Sequence, residues 1–153
     1  MRIALCQINP TVGDLAGNAR IVLDAAQRAA EAGAELAVFS ELALTGYPPQ
    51  DLLDRPAFLA DADAALDYVA QHAPDGLGIV IGAPRRNPAA AGKRILNTAC
   101  LLDGGRVAAE VAKRLLPTYD VFDEGRYFAA GTGPCAPVTF RGLRLGIHVC
   151  EDL

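Results

Sequence analysis

Three residues able to do chemistry share one kind of position. Glu41 comes just after the apolar run Leu36–Phe39, Lys113 follows residues 107–112, and Cys150 follows residues 145–149. A residue just past a buried strand lies at a rim, where α/β folds place their chemistry. Taken singly, Glu41 and Lys113 read as solvated strand ends and Cys150 as a small packing residue. Together they supply what an amide-cleaving thiol needs. A thiol with its ordinary pKa of about 8.5 is mostly protonated at neutral pH, so a base must take its proton. A carboxylate can do this and, once protonated, can hand the proton to departing ammonia. A fixed ammonium such as Lys113 stabilises both the thiolate and the oxyanion of the tetrahedral intermediate. Spacing along the chain does not prove that the three meet.

The elements that must position them follow from periodicity. Residues 3–8 read as a strand. Residues 18–32 place Ile21, Val22, Ala25 and Ala29 at helical spacing, with Gly33 as the stop. Leu36–Phe39 is a short run typical of a strand buried on both faces, and the paired prolines Pro48-Pro49 force a loop after it. A second helix is expected over residues 56–71, a buried strand over 78–82 and a loop over 84–92. Residues 95–102 and 107–112 flank Asp103-Gly104-Gly105 as a hairpin. Residues 115–133 lack periodicity, and a long loop of this kind usually lines a site. Residues 138–140 and 143–149 suggest another hairpin through Arg141-Gly142. The order βαβαβ followed by hairpins indicates an α/β layered fold with a mixed sheet.

Composition narrows the function classes. The 153 residues are 52% hydrophobic and 21% charged, with a net charge of −4, which fits one globular domain and no disordered bias. Lys and Arg are scattered among Asp and Glu, so no basic footprint for nucleic acid exists. No apolar run is long enough for a membrane span, and the N-terminal run is too brief for a signal peptide, so a cytoplasmic protein is expected. Cys6, Cys100, Cys135 and Cys150 show no CxxC pair and no zinc spacing, and no metal site is expected. The first three read as core or loop cysteines. His148 precedes Cys150 by two residues, which in a strand would put both on one face; it reads as a packed strand histidine rather than a partner of the thiol. His72 closes a helix, where a cation suits the dipole. Tyr47 and Phe122 read as pocket-shaping or packing residues.

Three segments carry a resemblance. Ser40-Glu41-Leu42-Ala43-Leu44-Thr45-Gly46-Tyr47-Pro48-Pro49-Gln50-Asp51-Leu52-Leu53 resembles the glutamic-acid segment of the nitrilase superfamily, its second half that of the NAD synthetase branch. Residues 112–128, beginning Ala112-Lys113-Arg114-Leu115-Leu116-Pro117-Thr118-Tyr119, resemble the lysine segment of that branch. Gly146-Ile147-His148-Val149-Cys150-Glu151-Asp152-Leu153 resembles its nucleophile strand. Amidases and nitrilases usually carry an aromatic residue directly after the cysteine; Glu151-Asp152 points to the synthetase branch.

The resemblance implies a nitrilase-like α-β-β-α sandwich with a mixed sheet and a glutaminase activity. Glu41 would be the general base, Lys113 the oxyanion stabiliser and Cys150 the nucleophile. Tyr119 would contact the glutamine substrate, and Glu124 would match a second, supporting carboxylate near the lysine, its alternative being a solvated loop carboxylate beside Arg126. Ammonia would pass to a separate ATP-dependent synthetase domain that amidates deamido-NAD. The expected partners are L-glutamine, that synthetase domain of the parent protein and further copies of the chain in a homo-oligomer, without nucleic acid or membrane. ATP and Mg would belong to the parent domain, and no cofactor is expected in residues 1–153, which hold no glycine-rich phosphate-binding motif. The family domain continues past its cysteine, so a chain ending three residues after Cys150 is expected to be its N-terminal part, truncated after the nucleophile strand. Two alternatives stay open: a stand-alone amidase or N-carbamoyl amidohydrolase, and an inactive fragment serving only as a folding or assembly module.

Overall fold

The computed structural model describes residues 1–89, 92–132 and 136–153. Cys135, and the parts of the expected loops at residues 90–91 and 133, lie outside the described residues. The elements are β1 (Ile3–Cys6), α1 (Leu15–Glu31), β2 (Leu36–Phe39), a 3-10 turn (Gln50–Asp54), α2 (Pro56–His72), β3 (Gly78–Arg86), β4 (Ile95–Asp103), β5 (Arg106–Ala112), a one-turn helix α3 (Glu124–Tyr127), β6 (Val138–Phe140), β7 (Leu143–Leu145) and a 3-10 turn (Cys150–Asp152).

Helix α1 begins three residues before the apolar periodicity does, because Asp14 caps it: its side chain accepts the Gly17 N–H at 2.9 Å. It ends where Gly33 adopts φ +75° and Gly33 and Ala34 donate back to Ala30 and Ala29. Helix α2 ends on His72, whose ring stacks on Tyr68 at 4.0 Å between centroids.

Strands β1 to β5 form one mixed sheet in sequence order, parallel from β1 to β3 and antiparallel from β3 to β5. Strand β3 runs on to Arg86, past the expected end at residue 82, and takes in Pro84. Strand β2 pairs with it only as far as Val80, so beyond that point a residue without an N–H is tolerated. Gly104 and Gly105 join β4 to β5 with φ +61° and +76°, the backbone of a two-residue hairpin turn.

The two faces of this sheet are covered differently. Val22, Ala25, Ala26 and Ala29 of α1 and Leu66, Val69 and Ala70 of α2 pack on Ala37, Phe39, Ile79, Ile81, Cys100 and Leu102. The opposite face (Leu36, Val80, Ala99, Leu101) meets Phe140, Leu145, Ile147 and Val149. Phe140 sits so close to β3 that a Cβ on Gly78 would lie 2.5 Å from its ring. The layering is thus helices, mixed sheet, and the β6–β7 hairpin facing it, as the expected sandwich requires.

One expectation is corrected here. The strand foreseen over residues 143–149 stops at Leu145. Strand β6 is three residues long and Val138 already pairs with Leu145, so residues 146–149 have no ladder among the described residues. Cys150 therefore opens a 3-10 turn instead of ending a strand.

Candidate active site

Glu41 is aimed by a tight bend over β3. Leu42, with φ +49°, turns the chain as it leaves β2, and the bend rests on Gly82: a Cβ there would stand 2.2 Å from the Leu42 nitrogen and 2.8 Å from Glu41 Cα. Only glycine admits that approach. The buried Asn18 of α1 anchors the following segment by donating to the carbonyls of Leu44 (3.0 Å) and Thr11 (2.8 Å).

Lys113 extends the hairpin ladder one step beyond β5. Its N–H donates to the Asn97 carbonyl and its own carbonyl accepts from Gly131, both at 2.8 Å. The side chain is fully buried, and its Nζ donates to Glu41 Oε1 at 2.8 Å and to Glu124 Oε1 at 2.9 Å. Burial favours the neutral amine, but the hydrogen bonds and charges of the two carboxylates outweigh it and hold the ammonium above its ordinary pKa. Helix α3 brings Glu124 in: its first residue is only 5% exposed and also accepts from Tyr47 Oη at 3.1 Å. The solvated-carboxylate alternative for Glu124 is thereby overturned, because Arg126 turns away toward Asp51 while Glu124 points into the cluster. Burial beside two carboxylates pushes the Tyr47 phenol well above its usual range.

Asn97 completes the cluster. Its amide donates to Glu41 Oε1 at 2.6 Å and to Glu124 Oε2 at 3.4 Å. Glu41 Oε1 thus carries two donors, which leaves Oε2 as the oxygen able to take a proton. The Asn97 Oδ1, buried, has no hydrogen-bond partner among the described residues.

Cys150 faces this cluster across a cavity of about 470 Å³ that Glu41, Ser40, Phe39 and Val149 also line. It is exposed and adopts φ +48°, a left-handed conformation that costs a non-glycine residue on the order of 1 kcal/mol or more and often marks functional positions. Partial burial first, and then the Glu41 carboxylate, push its thiol above the ordinary value, while Lys113 and the Glu151 N–H pull it back. The thiol is therefore mostly protonated at neutral pH and in contact with the group that can deprotonate it.

Comparisons with known proteins give the family. The carbon-nitrogen hydrolase profile matches residues 2–153. The chain belongs to the carbon-nitrogen hydrolase family. Within that family, a protein of Synechocystis sp. named glutamine-dependent NAD(+) synthetase is 40% identical over 99% of this chain and 27% of its own length. One of the same name from Rhodobacter capsulatus is 43% identical over 99% of this chain and 26% of its own length. The chain thus spans about a quarter of the length of the curated relatives it matches. The structure of an Acinetobacter baumannii glutamine-dependent NAD+ synthetase, in complex with ADP, superposes with a TM-score of 0.88 at 31% identity, covering 98% of this chain and 27% of that one. The structure of an amidase from Nesterenkonia sp. superposes with a TM-score of 0.80 at 33% identity, covering 99% of this chain and 56% of that one.

The fold brings Glu41, Lys113, Cys150 and Glu124 together. Tyr119 stands nearer the surface, 56% exposed, with its hydroxyl donating to Glu151 at 2.9 and 3.0 Å. Tyr47 and Phe122 line a second opening of about 340 Å³ above Glu41, their rings 6.4 Å apart. His148 departs from expectation. It is exposed between two cavities instead of packed, in a segment that has no ladder among the described residues. Cys100 is a core residue, its thiol pushed up to about 12 by burial. Sequence reasoning missed Asn97, since an asparagine within an apolar strand carries no signal of what it faces. Among the described residues no group of His, Cys, Asp and Glu could hold a metal ion, and no helix is long and apolar enough to cross a membrane.

Proposed function

We propose that this chain is the glutaminase part of a glutamine-dependent NAD synthetase. The observation that carries the reading is a buried ammonium shared by Glu41 and Glu124, with the Cys150 thiol facing the same Glu41. Relatives bearing that name at about 40% identity over nearly the whole chain support the substrate assignment.

In the proposed cycle Glu41 takes the thiol proton and Sγ attacks the side-chain carbonyl carbon of L-glutamine. The oxyanion that forms lies toward Lys113, which neutralises it. Collapse breaks the C–N bond, Glu41 returns the proton to the leaving nitrogen, and ammonia departs from a thioester. Water then attacks the thioester while Glu41 takes one of its protons; glutamate leaves and the thiol is restored. Glu124 supports the ammonium, and Tyr119 contacts the substrate. Ammonia would serve an ATP- and Mg-dependent synthetase domain of the parent protein in a cytoplasmic homo-oligomer, and no residue of this chain is assigned to ATP or Mg.

The likeness to the Nesterenkonia amidase supports a second reading, a stand-alone amidase. Glu151 favours the first, since it stands where amidases usually carry an aromatic residue. The test is Cys150→Ala in the longest natural protein that contains this chain. Glutamine-driven NAD synthesis should vanish while ammonium-driven synthesis persists; loss of both, or of neither, refutes the assignment.

A further inference from the structure

The Glu151-Asp152 pair that sets this chain apart from amidases has no role in the cycle above. Past Lys113 the hairpin ladder has ended, so the next backbone N–H groups need other partners. Asp152 Oδ1 accepts from Arg114 N at 2.9 Å and from Leu115 N at 2.8 Å. The same residue is fixed to the nucleophile turn, since its own N–H donates to the Val149 carbonyl at 3.1 Å and Leu153 closes on Cys150 at 3.3 Å. One carboxylate therefore joins the residue that follows the buried cation to the turn carrying the thiol.

We propose that Asp152 is a positioning residue that sets the distance between the Cys150 thiol and the Lys113 ammonium. The inference rests on the reading of Cys150 as nucleophile. A second link, from the Tyr119 hydroxyl to Glu151, joins the same two segments. It uses a side chain that the proposed function gives to the substrate, so in the bound state Asp152 is the tether that persists. The left-handed backbone of Cys150 is a strained conformation that persists only where its surroundings hold it, and Asp152 belongs to the same turn. Charge-assisted bonds to two consecutive N–H groups are among the stronger ways to hold a loop.

The experiment follows alkylation of Cys150 by iodoacetamide against pH in the full chain, read by peptide mass spectrometry, for the parent, Asp152→Ala, Asp152→Asn and Glu41→Gln. Asp152→Ala lets the thiol drift out of the pocket, away from Glu41 and Lys113 together. Burial and Glu41, which raise its pKa, outweigh Lys113, so the alkylation midpoint falls and the rate at pH 7 rises by about threefold or more. Asp152→Asn keeps an acceptor oxygen at the same place and restores the parent profile to within about twofold. An unchanged profile in Asp152→Ala overturns the inference, as does an Asp152→Asn profile displaced as far as that of Asp152→Ala, which would make the lost negative charge beside the thiol, and not the tether, the cause. If Asp152→Ala does not fold, hydrogen exchange of the Arg114 and Leu115 amides in the parent decides: protection supports the tether, free exchange refutes it. A Glu41→Gln profile identical to the parent would instead remove the reading of Cys150 as a base-assisted nucleophile, whatever Asp152 does.

Discussion

Lys113 and Cys150 lie on either side of one cleft and are held in opposite ways. Lys113 is fully buried, its backbone bonded on both sides and its ammonium bonded to two carboxylates that Asn97 also bridges. Cys150 is exposed, sits in a 3-10 turn with a left-handed backbone, and follows residues 146–149, which have no ladder among the described residues. The cation and the base belong to the five-stranded sheet and share its rigidity. The nucleophile sits in a turn that Asp152 bonds to the segment after Lys113. Electrostatic stabilisation is most effective when charges are fixed beforehand, whereas a nucleophile on a turn needs a tether to keep its geometry of attack. The contrast fits the division of labour.

The largest expected effect tests the rigid half. Lys113→Met leaves Glu41 and Glu124 facing each other with no cation, a broken buried pair that should cost about 3 kcal/mol of stability. Cys150→Ala should cost less than about 1 kcal/mol, since an exposed side chain loses little packing. Urea denaturation of both variants checks the contrast, and equal costs would break it.

Next is Glu41→Gln, which should lower glutamine turnover by about 100-fold or more through loss of the base. It should also move the alkylation midpoint of Cys150 downward. The Glu41 carboxylate is one of the groups raising the thiol, so its neutralisation lets the thiolate form at lower pH. Turnover falling while thiol reactivity at pH 7 rises would separate the base from mere access.

Asn97→Leu comes third. It fits the strand but removes the donor shared by both carboxylates, and should lower turnover by roughly tenfold and stability by about 1–2 kcal/mol. Steady-state ammonia release and thermal melting measure the two, and no change in either would show that Lys113 alone orients Glu41. The smallest effect belongs to Tyr119→Phe. Its exposed hydroxyl bonds Glu151 and is assigned to the substrate, so its loss should raise KM for glutamine by about threefold with little change in melting temperature.

Much of this was legible from residue order. Apolar runs located the sheet because strands buried on both faces leave no polar positions, and polar residues just past them mark its rim. That reasoning reached Glu41 and Lys113, and it reached Cys150 although the strand before it proved shorter than its apolar run. Length failed as a guide there because a strand persists only as far as its partner does, and three-residue β6 set the limit.

The sequence by itself determined the residue types, their order and the layering, since periodicity and turn chemistry act over a few neighbours. Tertiary structure alone decided the rest. Asn97 became a bridge between carboxylates because a hairpin register set it opposite Pro84 and beside Lys113. Glu124, in an aperiodic loop, became a buried ligand of Lys113 because Ala129 bonds to Ile95 and draws its helix against β4. Gly82 is required by a bend that crosses it from another strand, and Asp152 acquires its role from amides 37 and 38 residues earlier. Each of these depends on contacts between distant residues, which no local pattern encodes.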